Sequence, residues 1–428
     1  MSVLSINTNG AALNALQNLN RTSSDLNETQ LRINTGLNVK TAKDNAAVFA
    51  IAQNLRADKR GLDAVKNSLD RARSVLDVTT AAAESIQDLL IQIKEKVVAA
   101  SDAGLDQRSR DALKQDFERL REQISLIASN ATFNGTNLID GPTDATNGKP
   151  ANLVALVSPD ATRQISVPRQ DLGLYTLKAN ATALPTALAA DTGGVTEDNA
   201  TNTVTGNVFT NDTAAAGNIV GTINGQAANV NNAIRTTYGW LRVQSDGSYT
   251  YTLDNGRAET QALATPATVN EVFTYQAQRA DGTLSAATNL TITVTAAGTG
   301  TGEAAPTTPQ RPAAQTYPAG TIIKLTPQTT FNDAESAELL IRDIDDSIRN
   351  VSQALTVFGA AQKSAEQQRT FIDKLSDTIE TGIGNLVDAD IARESARLQS
   401  LQVKQQLGTQ ALSIANRQPQ SILSLFQG

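Results

Sequence analysis

Histidine and cysteine are both absent from this chain of 428 residues. Without them there is no Ser-His-Asp or Cys-His nucleophile, no imidazole or thiolate zinc site and no disulfide. Catalysis would fall to carboxylates and lysines alone. Aromatic residues make up only 4% of the chain, so large rings cannot dominate its cores. A net charge of −7, with Lys and Arg scattered among acids, leaves no basic stripe for a phosphate backbone, and no nucleic-acid partner is expected. No run approaches the roughly 18 apolar residues of a membrane span, so no membrane insertion is expected. The start, Met1-Ser2-Val3-Leu4-Ser5, lacks a basic segment followed by an apolar one, so no Sec-type signal is expected. The lack of cysteine suits a protein kept out of disulfide chemistry, or one threaded unfolded through an export channel.

Proline is missing before Pro142, and residues 11 to 140 are rich in Ala, Leu, Asn, Gln, Asp and Arg, a helical composition. Leu62, Val65, Leu69, Ala72, Leu76, Thr79, Ala83, Ile86, Leu90, Ile93 and Val97 step by three and four, with Thr79 the one polar member. Such spacing keeps one stripe against a partner along a helix roughly 50 to 60 Å long. The partner is either the chain's own core or a neighbouring molecule. Ser101-Asp102-Ala103-Gly104 reads as a stop, and the period resumes at Leu113, Phe117, Leu120, Ile124, Ile127 and Ala131. Phe133-Asn134-Gly135-Thr136-Asn137-Leu138-Ile139 reads as the entry to a β-hairpin.

The C-terminal zone mirrors the first: Ile341, Ile344, Ile348, Val351, Leu355 and Phe358 step likewise, then Ile372, Leu375, Ile379, Ile383 and Leu386. The extreme termini are amphipathic but rich in small residues, and helices that bury so little are marginal without partners. Leu13, Leu16, Leu19, Leu398, Leu401, Leu412 and Leu425 are therefore the expected assembly contacts. Between 180 and 320 the composition turns to Thr, Asn, Gly and Ala, and the single Trp240 appears with Tyr238, Tyr249, Tyr251 and Tyr275. Stretches 249–253, 272–275 and 290–294 alternate on a period of two, with Asp246-Gly247, Asn255-Gly256 and Asp281-Gly282 as turns. The fold class expected is mainly α, with an inserted all-β domain.

Other motifs carry no catalytic reading. Gly382-Ile383-Gly384 lacks a third glycine and a preceding strand, so it reads as a hinge or helix irregularity. Asp343, Asp345 and Asp346, like Asp388, Asp390 and Glu394, lie beside arginines and read as solvated faces or inter-subunit ion pairs. No enzyme is expected.

Both ends of the chain resemble bacterial flagellin. Ser5-Ile6-Asn7-Thr8-Asn9, the stretch 31–37 (Leu31-Arg32-Ile33-Asn34-Thr35-Gly36-Leu37) and Phe133-Asn134-Gly135 carry the likeness at the N-terminus. Asp388-Ala389-Asp390-Ile391-Ala392-Arg393-Glu394-Ser395, Gln410 to Asn416 and Ile422-Leu423-Ser424-Leu425 carry it at the other end. The resemblance implies a subunit that self-assembles into the extracellular flagellar filament for motility. It implies an inner-tube coiled coil from residues 1–43 plus 386–428 and an outer-tube helical domain from 44–178 plus 320–385, with a β-hairpin. Implied partners are other copies in a helical homopolymer, the flagellar cap, the hook-filament junction proteins, and the type III export apparatus with its chaperone.

Residues 190–298 form the insert and 299–319 its exit linker. Val195-Thr196-Glu197-Asp198-Asn199, Gly206 to Asp212 and Ser245 to Tyr251 resemble the cadherin-like, VCBS-type repeats of bacterial adhesins. That resemblance implies an immunoglobulin-like sandwich displayed outward, with surface glycans as a partner class and calcium as a cofactor of some such modules. Glu197, Asp198 and Asp212 are the oxygen donors available to calcium. Two alternatives remain: an adhesin or polysaccharide-binding homologue acting through the insert, and a hook-filament junction protein. In the flagellin family a Toll-like receptor reads an outer-tube helix. The aligned residues here are degenerate: Gln92, Lys94, Glu95 and Lys96, with Asp116 on the returning helix. Gln92 replaces an Arg and Lys96 a Leu, changes worth about 2 kcal/mol or more each at a hot spot, so weak receptor activation is expected.

Overall fold

The computed structural model describes residues 9–141, 152–185, 187–197, 202–213, 216–264, 267–297, 310–312, 315 and 317–425, with side chains described up to 417. Among the described residues, six α-helices and ten strands follow in the order α1 (Gly10–Thr35), α2 (Ala46–Ala100), α3 (Gln107–Asn130), β1 (Asn152–Leu156), β2 (Gln164–Pro168), β3 (Asp191–Thr196), β4 (Thr203–Asn207), β5 (Ile219–Ile223), β6 (Ala233–Arg235), β7 (Gly239–Val243), β8 (Ser248–Leu253), α4 (Ala258–Gln261), β9 (Thr268–Gln278), β10 (Thr288–Thr295), α5 (Ala334–Val387) and α6 (Ile391–Leu425). The chain divides into two compact units. One comprises Met1–Asp70, Ala155–Ile165 and Glu366–Gly428, and the other Arg71–Val154 and Ser166–Ala365. The cuts fall inside α2 and α5.

In the first unit α1 lies antiparallel to α6, since Asn9 reaches Ala415 at one end and Arg32 reaches Glu394 at the other. The first part of α2 pairs with the last part of α5 through Lys59–Glu380 (2.7 Å), Lys66–Asp373 (2.6 Å) and Asp70–Arg369. Every step forward on α2 is matched by an equal step back on α5. The same register holds in the second unit, where Asp77 meets Gln362, Gln87 meets Ser352 and Lys94 meets Asp345.

Behind these polar pairs, all eleven positions of the stripe Leu62 to Val97 are buried, Thr79 included. Thr79 is tolerated because its hydroxyl donates to the Val75 carbonyl at 2.7 Å, within its own helix. On α5 the fully covered line is Ala337, Ile344, Ser347, Val351, Ala354 and Phe358, while Ile341, Ile348 and Leu355 are half-buried. Ile344, Val351 and Phe358 of the expected stripe are thus buried, and Ala337, Ser347 and Ala354 share the line with them in place of Ile341, Ile348 and Leu355. Leu386, expected within it, is 36% exposed, and its neighbour Val387 is buried instead.

Residues 133–139 do not open a β-hairpin. Phe133 and Thr136 exchange backbone hydrogen bonds around Asn134 and Gly135, both at positive φ, and no ladder extends from them. Asn134 and Gly135 make the expected turn, but Asn137 diverts the chain by accepting from the Ile139 and Asp140 amides. The hairpin forms further on, as β1 and β2.

The insert consists of two four-stranded sheets, ordered β3-β10-β9-β5 and β4-β8-β7-β6. Val195, Phe273, Tyr275, Leu290, Ile292 and Val294 from the first share one core with Leu241, Val243, Tyr249, Tyr251 and Leu253 from the second. Asp246-Gly247 and Asp281-Gly282 turn as the sequence suggests, with both glycines at positive φ. On the other face of the second sheet β7 is covered, while Thr203 and Thr205 of β4 and Arg235 of β6 stay exposed. Trp240 is 1% exposed, with the Arg257 guanidinium 5.4 Å from its ring centroid, and Arg242 is buried beside Asp343 of α5 and Tyr317. Asn232 donates to the Gln328 carbonyl at 2.7 Å. The described end of the exit segment is held too: Arg311 pairs with Glu338 at 2.6 Å, and Tyr317 donates to the Lys324 carbonyl at 2.6 Å.

Candidate assembly interface

Helix α1 starts where Asn9 accepts from the Ala12 amide with its side chain. It ends at Gly36, whose φ of 70° closes the last turn through a bond to the Arg32 carbonyl. The exit is then stapled to the α5–α6 junction. Asn38 donates to the Val387 carbonyl at 2.7 Å and Ala389 to the Gly36 carbonyl at 2.8 Å. Asp390 caps α6 by accepting from the Arg393 amide at 3.1 Å. The segment 388–390 is therefore a helix break held by backbone bonds, with Val39, Ala52 and Val387 packed behind it. Gly384 has a local reason: a Cβ there would come 2.8 Å from the Asp388 carboxylate. It lies inside continuous helix, so no hinge forms there.

The pairing of α1 with α6 consumes one stripe of each helix. Leu26 and Thr29 are buried on α1, and Glu394 and Leu401 on α6. Glu394 meets Arg32 at 3.3 Å, and Arg32 also binds Glu28 at 2.5 Å. Gly408 acts as a hole, since a Cβ there would lie 3.2 Å from Leu19. Leu19, Leu398 and Leu412 are half-buried beside this seam.

A second set stays open. Leu13 is 61% exposed, Leu407 58% and Ile414 71%, with Leu16, Leu31, Ile391 and Val403 also exposed. Of the expected contacts, then, Leu13 and Leu16 face outward, Leu401 serves the chain's own pairing, and the side chain of Leu425 lies outside the described residues. Leu31, Ile391, Val403, Leu407 and Ile414 were missed by the sequence reading, although the step of four from Val403 to Leu407 and the later Ile414 mark one face of α6. So much exposed aliphatic surface on two thin helices is characteristic of an interaction surface.

The remaining candidates are dispersed. Glu197, just past β3, accepts from Gln261 at 3.4 Å and from the Ala297 amide at 3.3 Å. Asp212 accepts from the Ala189 amide at 2.6 Å, before β3 begins. The length of that strand, roughly 20 Å at the usual rise, keeps these two apart. Asp198 lies outside the described residues, and among the described residues no three acids are grouped to hold a metal. Gln92 and Glu95 are exposed on α2, Lys96 is half-buried, Lys94 turns to Asp345 at 2.7 Å, and Asp116 pairs with Arg119 on α3. Of the three neighbouring acids of α5, Asp345 keeps solvent contact beside Lys94 while the other two are engaged. Asp343 is buried, and Asp346 meets Lys324 at 2.5 Å. Among the described residues no helix is long and apolar enough to cross a membrane.

Paired terminal helices with an open aliphatic stripe, joined to a longer antiparallel helix pair and a β module, define a structural protein built to pack against copies of itself. Comparison with known proteins gives the family. Residues 6–144 match the model of the bacterial flagellin N-terminal helical region, and 341–426 that of the C-terminal helical region. The chain is 32% identical to Flagellin FljM of Caulobacter vibrioides and 33% identical to Flagellin FljK of that organism, over the full length of each. It is 32% identical to Flagellin A of Rhizobium meliloti over 99% of this chain and all of that one. A solved FliC from Burkholderia pseudomallei aligns with 68% of this chain and 99% of its own at 15% identity and a TM-score of 0.30, too low to bear on the fold. The chain belongs to the bacterial flagellin family, and is a self-assembling structural subunit of the extracellular flagellar filament.

Proposed function

We propose that the α1–α6 pair is the element through which subunits pack into the inner tube of the filament, and that the β module stands on the outer surface. The open stripe of Leu13, Leu16, Leu407 and Ile414 is the observation that carries this reading. Each leucine or isoleucine buried between subunits contributes about 1.5 to 3 kcal/mol, and every subunit repeats the contact. Cap, hook-filament junction proteins, type III export apparatus and chaperone are the partners this role requires. The outward position of the β module accords with its likeness to adhesin repeats, and an insertion there leaves the terminal helices free to pair.

The test is seeded polymerisation followed by negative-stain electron microscopy. Full-length protein should extend sheared filament fragments, whereas a truncation spanning 44–385 should stay monomeric. Filaments from the truncation would place the assembly device elsewhere in the chain. Monomers from both would redirect attention to the β module as an adhesin.

A further inference from the structure

Helix α2 carries two exposed rows of opposite charge, both outside the buried stripe Leu62 to Val97. Arg60, Ala64, Asn67 and Arg71 make the first, Glu84, Asp88, Ile91 and Glu95 the second, and all eight residues are exposed. Each row steps by four, three and four, the spacing that keeps residues on one line of a helix. The charges at the two ends of a row are therefore about 16 Å apart at the usual helical rise.

These charges are left over from the chain's own pairing. The groups that tie α2 to α5 are a different set, Lys59, Lys66, Asp70 and Lys94, and Arg60, Arg71, Glu84, Asp88 and Glu95 enter no ion pair among the described residues. Asp63, an exposed acid between Arg60 and Arg71 in sequence, lies off their row and beside Lys59. Between the acids of the second row an aliphatic side chain stands in the open, Ile91 at 50% exposure.

Laid on each other in parallel, the rows match position by position. Arg60 meets Glu84 and Arg71 meets Glu95, while Ala64 and Asn67, short beside the arginines, leave room for Asp88 and Ile91. A single copy cannot make that match, because both rows lie along one helix. Between copies the basic row of one takes the acidic row of the next, whose own basic row stays free for a third. Such a heterologous contact repeats head to tail, as the screw operation of a filament requires, and leaves all subunits pointing one way with their α2 helices parallel. The exposed bases of α6, Arg393, Arg397 and Lys404, border Leu407 on the stripe assigned to the inner tube, whereas both rows of α2 belong to the outer tube by the same reading.

We infer that the Arg60–Arg71 row of one subunit docks on the Glu84–Glu95 row of the next, a second copy of this chain, and that these contacts join successive subunits along the outer tube. The inference rests on the filament reading. Exposed ion pairs contribute little while solvated, but between subunits unlike charges fix the register and like charges opposed are strongly unfavourable.

The test compares seeded elongation by wild type, Arg60→Glu/Arg71→Glu and Glu84→Arg/Glu95→Arg, with circular dichroism as the check on folding. Each variant opposes like charges when it meets itself, and alone should need about tenfold more protein than wild type to elongate. An equimolar mixture of the two should elongate within about threefold of wild type, since every reversed row then finds a partner of opposite sign. The defect of each variant alone should shrink as NaCl screens the rows. Should a double variant fail to fold, the single exchanges Arg60→Glu and Glu84→Arg give the same comparison. Unchanged elongation by either variant alone, or failure of the mixture when both variants are folded, would overturn the inference and leave the filament reading intact. Failure of wild-type protein to polymerise would sink the filament reading, and this inference with it.

Discussion

Lys94 on α2 and Asp345 on α5 meet at 2.7 Å, in the same register as Lys59 with Glu380 and Lys66 with Asp373. The ammonium and carboxylate are each more than a third exposed, so the pair contributes little to stability and much to alignment. Lys94→Ala should lower unfolding free energy by no more than about 1 kcal/mol in low salt, and by less in high salt. Urea unfolding of the monomer at two ionic strengths checks this. A loss above about 2 kcal/mol would mean that the aliphatic stem carries packing as well.

Thr79 interrupts an otherwise apolar seam and is 1% exposed. Valine keeps its shape. The substitution exchanges a hydroxyl bonded to the Val75 carbonyl for a buried methyl, and that carbonyl retains its own helical partner. The lost hydrogen bond and the gained burial are each about 1 kcal/mol. Thr79→Val should therefore be neutral or stabilising by up to about 1 kcal/mol in thermal unfolding. A clear loss would assign the hydroxyl a role in setting the register of α2.

The helical architecture was legible because steps of three and four bury one stripe whatever the partner, and all of Leu62 to Val97 obey them. The β strands at 249–253, 272–275 and 290–294 were legible from alternation and turn glycines for the same reason. On α5 the stripe was partly legible: Ile344, Val351 and Phe358 are buried as their spacing suggests, but Ser347 and Ala354 enter the seam where hydrophobicity alone points to Ile348 and Leu355. The open stripe was half legible. A sequence gives the period of apolar residues on α6, but which of two stripes α1 covers depends on Gly408 receiving Leu19 and on the staple at 388–390. The contact of Arg242 with Asp343 joins residues a hundred positions apart, and no local pattern announces it.

Leu401 and Leu407 separate folding from assembly. Leu401 is 6% exposed and Leu407 58%. Leu401→Ala should destabilise the α1–α6 pair by about 2 to 4 kcal/mol, visible as lost helicity in the monomer. Leu407→Glu should leave monomer helicity within error and abolish seeded elongation, because it places a carboxylate in an apolar contact between subunits. Normal elongation by Leu407→Glu would remove this face of α6 from the interface. Loss of helicity in both variants would show that the two stripes fold as one.

Asp343 gives a prediction with a definite sign. Burial is the largest influence on its carboxyl and pushes the pKa up to about 6; Arg242, Arg342 and Lys324 oppose the shift, and Asp346 adds to it. Between about pH 4 and pH 6 the folded chain therefore holds a proton that the unfolded chain has released. The contribution of this group is most favourable below pH 4 and is lost as pH rises through 6, by on the order of 3 kcal/mol for a shift of this size. Asp343→Asn resembles the protonated form at every pH. It should unfold at higher denaturant than wild type at pH 7.5, match it near pH 4, and lack the decline in between, all read from urea curves of the monomer. A variant less stable than wild type at pH 7.5 would show that the attraction between Arg242 and the ionised carboxylate outweighs the cost of burying it, and that this contact ties the β module to α5 by charge.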